Sequence, residues 1–417
     1  MKDLVLMEMG KTAQATARRL RQVSVKEKNE ALEKMAQALE EHQEAILQAN
    51  QEDCRLAQNN GLSSAMIERL SLNPERVVAM AQGLRFIATL ADPTQMSDRQ
   101  WVNEDGLLIS RRRVPIGVIG IIYESRPNVT VDATGLCLKA GNAVILRGGK
   151  EALNSNRAIV QAMQTGLKQT VVPASAVQLI EDPSRELATA LMQFNECIDC
   201  LIPRGGAGLI SSVVKNATVP VIETGTGNCH LYCHEAADLA MARDILLNGK
   251  VQRPSVCNAL ETVLVDRSIA AHAVPYLAQA LLDQGVEIRG DEATCHLVPQ
   301  AVSAKKIDYQ MEFLDYVIAF KVVDNYQEAI DHIEQYSTGH SEVIITQNYQ
   351  VAQDFVNDID SAAVYVNAST RFTDGAMFGF GGEIGISTQK LHARGPMGLE
   401  ALTSYKYIVL GSGQVRA

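Results

Sequence analysis

Tryptophan occurs once in this chain and aromatic residues make up only 5% of it, so its cores must be built mainly from aliphatic side chains. No apolar run reaches the roughly 18 residues that a membrane-spanning helix needs. A basic excess is also missing. The 48 acidic residues outnumber the 38 basic ones, giving a net charge of −10, which disfavours a nucleic-acid or anionic-membrane partner. The start, Met1-Lys2-Asp3-Leu4, lacks the basic-then-apolar pattern of a signal peptide, and a cytoplasmic protein is expected. Eight cysteines are few for 417 residues, and in the cytoplasm they are expected to stay reduced. What is present is ordinary for a soluble globular chain: 47% hydrophobic and 21% charged residues, with length enough for two or three domains.

Two cysteine clusters invite a metal reading, Cys197-x-x-Cys200 and Cys229-His230-x-x-Cys233-His234. Zinc sites usually pair two such knuckles at loop tips. Here Cys197 and Cys200 open an apolar run, whereas Cys229 and Cys233 alternate along a strand-like segment. That alternation puts the two cysteines on one face and the two histidines on the other, which splits the ligand set. No metal is expected.

Residues 1 to about 92 read as consecutive helices. Ser24 and Glu27 fit a capping box ahead of the apolar face Ala31, Leu32, Met35, Ala36 and Leu39. Asn60-Gly61 is a stop signal, and Asn73-Pro74-Glu75 is a cap with proline at the first helical position. The segment 101–109 reads as a hairpin turning at Asp105-Gly106, followed by the basic triplet Arg111, Arg112 and Arg113. A triplet of this kind fits a solvated strand, a subunit contact or an anion site. Buried strands follow at 117–122, 143–147, 176–180, 198–202 and 219–222, with helix-like segments between several of them. This alternation predicts a parallel sheet covered on both faces. A second series, at 259–265, 342–346 and 362–366, predicts a second α/β sheet.

In open α/β sheets, ligands lie beyond the carboxyl ends of the strands. Three such ends are polar and mostly glycine-rich here: Tyr123-Glu124-Ser125-Arg126-Pro127-Asn128, Arg147-Gly148-Gly149-Lys150-Glu151 and Pro203-Arg204-Gly205-Gly206-Ala207-Gly208. Glycines that open a helix let backbone N–H groups approach a phosphate. The strict dinucleotide fingerprint is absent, so each cluster alone is also compatible with a tight turn. Arg147 and Lys150 carry positive charge where an adenosine ribose would lie, which favours a 2′-phosphate and so NADPH over NADH; Glu151 works against it.

The loop Gln252-Arg253-Pro254-Ser255-Val256-Cys257-Asn258 feeds the β-branched run Ala259-Leu260-Glu261-Thr262-Val263-Leu264-Val265. A thiol presented by a loop on a rigid strand suits a nucleophile, and Arg253 is placed to stabilise its thiolate. The alternative is a small buried hydrophobe, the commoner fate of a free cysteine.

These strings, together with Val366-Asn367-Ala368-Ser369-Thr370-Arg371-Phe372-Thr373-Asp374-Gly375 and Lys390-Leu391-His392-Ala393-Arg394-Gly395-Pro396-Met397-Gly398, stand in an order that resembles the aldehyde dehydrogenase superfamily over nearly the whole chain. The likeness is to the branch that reduces acyl phosphates. It implies an α/β protein of two Rossmann-like α/β domains plus a small β oligomerisation flap. Residues 1–97 and 116–222 would form the NADPH-binding domain and 223–387 the catalytic domain with Cys257. Residues 98–115 and 388–417, including a strand near 404–410, would form the flap, as edge strands in need of a partner. The implied activity is NADPH-dependent reduction of gamma-glutamyl phosphate to glutamate 5-semialdehyde through a thioester on Cys257. The alternative within the superfamily is an oxidising, NAD(P)-dependent aldehyde dehydrogenase.

By the same resemblance, Asn128 and the Cys257 backbone N–H would bind the oxyanion, although Arg126-Pro127-Asn128 replaces the superfamily's Trp-Asn pattern. Arg147, Gly148, Lys150, Arg204, Gly205 and Gly206 would bind the cofactor, and Glu312 would hold its nicotinamide ribose. Arg126, His392 and Arg394 are candidates for the anionic ends of the substrate. Glu223 precedes Cys257 by 34 positions (257 − 223), the spacing of the general base in oxidising relatives, and reads equally as a polar lining residue. A homo-oligomer is expected, and the lability of the acyl phosphate makes glutamate 5-kinase a candidate partner.

Overall fold

The computed structural model describes residues 2–416. The chain divides into two compact units. The first runs to Thr224 and regains Gly379–Gly385 and the segment from Met397 onward; the second holds Gly225–Phe378 and Ile386–Pro396.

The first unit opens with five helices, α1 (Lys2–Leu20), α2 (Val25–Glu41), α3 (Gln43–Asn59), α4 (Ser64–Leu70) and α5 (Pro74–Thr89). Their ends follow local chemistry. The Ser24 side chain and Glu27 close the capping box at α2. Asn73 caps α5 with Pro74 behind it, and Gly61 takes the left-handed conformation just past α3. The apolar stripe Ala31, Leu32, Met35, Ala36 and Leu39 is fully buried. The hairpin follows as β1 (Ser97–Val102) and β2 (Leu108–Pro115), with Gly106 at positive φ in the turn. The C-terminal strand Thr403–Leu410 pairs antiparallel with β2, which completes a three-stranded flap.

The rest of this unit alternates as expected: β3 (Val118–Tyr123), α6 (Pro127–Lys139), β4 (Ala143–Arg147), α7 (Leu153–Leu167), β5 (Val177–Leu179), α8 (Arg185–Met192), β6 (Cys200–Arg204) and α9 (Ala207–Asn216). The strands form a parallel sheet in the order β5-β4-β3-β6. The three polar ends singled out from the sequence belong to β4, β3 and β6, which are neighbours in that order. One expected strand is not formed. Residues 219–222 make only a single bridge, Val221 to Leu201, because Pro220 has no N–H to extend a ladder.

The second unit contains β7 (Cys229–Cys233), α10 (Leu239–Val251), β8 (Leu260–Asp266), α11 (Arg267–Leu282), β9 (Glu287–Gly290), α12 (Glu292–Leu297), β10 (Val302–Ser303), β11 (Val317–Val323), α13 (Tyr326–Tyr336), β12 (Ser341–Ile345), α14 (Tyr349–Asp358) and β13 (Ala363–Val366). Its parallel sheet has the order β10-β9-β11-β8-β7-β12-β13. Side-chain alternation on β7 is clear. Cys229, Leu231 and Cys233 join the larger aliphatic core, and Tyr232 joins the smaller core on the opposite side. Three of these strands and Cys229–Cys233 match the expected ones, whereas β9, β10 and β11 are additional to them.

Candidate active site

The thiol loop lies in the second unit. Cys257 sits in a turn three residues before the start of β8 and is half-buried, while β8 itself is buried along its whole length. A rigid strand therefore follows directly on the loop that holds the half-buried Cys257. The loop is pinned from several sides. Asn258 Nδ2 donates to the Thr373 carbonyl at 2.9 Å, and Thr370 Oγ1 donates to the Asn258 carbonyl at 2.7 Å. Arg371 donates to Asn258 Oδ1 and, through Nε at 3.0 Å, to Gln252 Oε1. The Arg371 guanidinium lies near enough to Cys257 for their charges to interact. Burial and the neighbouring Arg253 both pull the Arg371 pKa down. Arg371 thus joins Arg253 as a second cation near the thiol, brought in from far along the chain.

Behind the loop stands Gly227. A Cβ placed on it would come within 1.4 Å of the Cys257 carbonyl oxygen, so only glycine allows this approach. The N–H of Gly227 donates to Glu312 Oε1 at 2.7 Å. One glycine thus abuts the Cys257 backbone and anchors the Glu312 carboxylate, whose pKa burial raises. Cys229 Sγ donates to the same Cys257 carbonyl at 3.2 Å, and burial pushes this thiol far above the usual range.

The loop that carries Glu312 is braced from within. Lys250 Nζ and Glu261 Oε2 are 2.5 Å apart and both side chains are fully buried. Glu261 also accepts the Leu314 N–H at 3.2 Å, and Leu314 takes a positive φ of 56°. Burial pushes Glu261 up and Lys250 down, while their mutual contact works against both shifts.

Arg394 Nη1 bonds to Asp360 Oδ1 at 2.7 Å, and Lys390 contacts the same carboxylate. This proposed substrate cation therefore already has an anionic partner. His392 is exposed, at a positive φ of 67°.

The glycine-rich strand ends lie in the first unit. Asn128 is the second residue of α6, within its first turn, and its side chain is exposed. Its Nδ2 donates to Asp132 Oδ2 at 3.1 Å. Arg126 is the residue that precedes α6 and is half-buried. Arg147 ends β4; its Nη2 donates to the Pro183 carbonyl at 2.8 Å, and its buried Nε has no hydrogen-bond partner. Glu151, which counted against NADPH, is turned onto the Ser125 N–H and hydroxyl at 2.9 and 2.6 Å. Glu124 Oε2 accepts the Gly206 N–H at 2.9 Å, just before α9 begins.

These ends fit an anionic cofactor. A side chain at Gly148 would strike Asn156 Nδ2 at 2.1 Å, and one at Gly205 would strike Glu124 Oε2 at 2.5 Å, so the bare backbone is built into the turns. A carboxylate on the Gly206 N–H shows that the start of α9 accepts negative charge. Arg147 retains an unused buried donor, and Lys150 is exposed beyond Gly148 and Gly149. Arg204, half-buried, ends β6 immediately before Gly205.

No group of three or more His, Cys, Asp or Glu among the described residues could hold a metal ion. No helix among them is long and apolar enough to cross a membrane.

Two α/β units with a three-stranded flap and a cysteine loop leading into a buried strand define the class. The aldehyde dehydrogenase family model matches residues 6–313 and 296–408, and the chain belongs to that family. It is similar to the gamma-glutamyl phosphate reductase of Thermoanaerobacter pseudethanolicus, with 56% identity over 406 residues, covering 97% of this chain and 98% of the relative. A gamma-glutamyl phosphate reductase of Clostridium botulinum is 55% identical over 416 residues, covering 100% of both chains. The crystal structure of gamma-glutamyl phosphate reductase from Thermotoga maritima superposes with a TM-score of 0.97 at 51% identity, covering 99% of this chain and 100% of that one.

Proposed function

We propose that this chain reduces gamma-glutamyl phosphate to glutamate 5-semialdehyde and phosphate, a step of proline biosynthesis, with NADPH as reductant. The observation that carries this reading is the likeness to reductases of that name over essentially the whole length of both chains. The Cys257 thiolate attacks the acyl carbon and the bond to the phosphate oxygen breaks, leaving a thioester on the sulfur. Covalent catalysis divides one hard displacement into two easier ones. When bound, the nicotinamide supplies the hydride that reduces this thioester. Loss of the sulfur from the hemithioacetal then frees the aldehyde and restores the thiolate.

Each tetrahedral stage puts negative charge on the former carbonyl oxygen. The Cys257 backbone N–H and the Asn128 amide are the proposed donors, a single such donor being worth about 3 kcal/mol. Arg371 and Arg253 favour the thiolate through their charge. Arg147, Lys150, Arg204 and the backbone of Gly148, Gly205 and Gly206 hold the dinucleotide, with Glu312 on its nicotinamide ribose. Arg126, His392 and Arg394 are the candidates for the substrate's anionic ends, Arg394 requiring release from Asp360.

The flap, with Trp101, Tyr405 and Tyr407 exposed on strands that have unpaired edges, serves subunit pairing. Residues 1–97 with 116–222 form the cofactor domain and 223–387 the catalytic domain. Glutamate 5-kinase is the proposed donor of the labile substrate, in the cytoplasm.

A coupled assay tests the activity. Glutamate 5-semialdehyde with inorganic phosphate should reduce NADP, and omitting phosphate should stop the reaction. Glu223 keeps the spacing of a hydrolytic base, and acid formed without phosphate would establish the oxidising, hydrolysing alternative instead. Arg147→Glu should weaken NADPH binding about tenfold more than NADH, given the worth of one charged contact. An unchanged preference in fluorescence titrations would reject the assignment of Arg147.

A further inference from the structure

Asn128 and Asp132 are four residues apart on α6 and so lie on one side of the helix. The contact between them, Nδ2 to Oδ2 at 3.1 Å, uses one hydrogen of an amide that carries two. An ionised carboxylate can only accept. It therefore selects the amide orientation in which nitrogen, not oxygen, faces Asp132. Without that constraint a carboxamide turns over readily, since its two ends have nearly the same shape. A turned amide would present an acceptor where negative charge develops.

We propose that Asp132 is a positioning residue for the reaction, holding the Asn128 amide so that its second N–H serves the acyl oxygen. This rests on the reading of Asn128 as an oxyanion donor. The surroundings of Asp132 suit the task. It is half-buried, and helix α5 packs close to it at Gly83, where a built Cβ would stand 3.8 Å from Asp132 Oδ1. Arg204, at the end of β6, is the charged group that acts on it. Burial pushes the Asp132 carboxyl up to about 6, against the Asn128 hydrogen bond and Arg204. Below that pH the protonated acid can donate to the Asn128 oxygen and so favours the turned amide. Turnover should therefore rise with pH through this range and stay level above it, as far as this group is concerned.

The test compares Asp132→Leu, Asp132→Asn and Asn128→Ala in the phosphate-dependent oxidation of glutamate 5-semialdehyde, alongside iodoacetamide alkylation of Cys257. Asn128→Ala should lower kcat about 100-fold, as expected for loss of one oxyanion donor. Asp132→Leu should lower kcat about tenfold, with the KM for NADP and the alkylation rate unchanged, because only part of that donor's effect is lost. The double variant should be no slower than Asn128→Ala alone. Asp132→Asn, whose amide oxygen still accepts, should restore most of the loss and abolish the acid limb of kcat near pH 6.

Wild-type kcat in Asp132→Leu beside an impaired Asn128→Ala would overturn the positioning role alone. Wild-type kcat in Asn128→Ala would overturn the oxyanion reading beneath it. Should Asp132→Leu fail to fold, Asp132→Asn decides. An unchanged acid limb in that variant refutes the proposal.

Discussion

Replacing Cys257 by alanine should lower turnover at least about 10⁴-fold while NADPH still binds within a few-fold of the native affinity, because the proposed covalent step would lose its sulfur. No neighbouring thiol can take over. Cys229 donates to the Cys257 carbonyl, but it is fully buried and its proton is held far more tightly than usual. Steady-state assay of the phosphate-dependent reaction, with a fluorescence titration of NADPH, separates loss of chemistry from loss of fold. Substantial residual reductase activity in the alanine variant would remove the thioester mechanism altogether.

Gly227→Ala should be among the most damaging changes outside Cys257 itself. The added methyl would stand 1.4 Å from the Cys257 carbonyl oxygen and 2.4 Å from its carbon, and both atoms belong to the backbone. A side chain could swing away, whereas here the whole turn has to move. Displacement of a reacting group by about 1 Å typically costs about 100-fold in rate, and we expect kcat to fall by that amount. Overpacking of this kind also costs about 1–3 kcal/mol of stability, readable in urea unfolding. The Gly227 N–H moves with its Cα, so the contact with Glu312 should loosen and NADPH affinity should fall as well. Native turnover in a well-folded Gly227→Ala enzyme would show that the turn tolerates the shift, and that Gly227 does not set the nucleophile's position.

Much of the fold is written in short-range patterns. The caps at Ser24 and Asn73, the turn at Gly106 and the β-branched runs at β3, β4 and β8 each depend on residues close in sequence, and each forms where those residues stand. Failures came where a local pattern competes with something else. Residues 219–222 have the composition of a strand, but Pro220 breaks the ladder. The Val317–Val323 strand is apolar apart from Lys321 and runs into Asp324-Asn325, so nothing local separates it from the strands that are legible. The site divides the same way. Cys257 and the glycine-rich turns stand out by composition. Arg371 against Asn258, Gly227 against Cys257 and Lys250 against Glu261 are meetings that only the folded chain creates, the first of them across 113 positions. No periodicity or spacing announces such pairs.

The distribution of thiols has a practical consequence. Cys137, Cys197, Cys200, Cys229 and Cys233 are sealed inside the protein, which leaves Cys54, Cys257 and Cys295 within partial reach of solvent. An electrophilic probe added to the native enzyme therefore meets three candidate sulfurs, not eight. A covalent fragment screen on the intact protein would start with a short roster of addresses, and peptide mapping of the adducts would read out the one that matters.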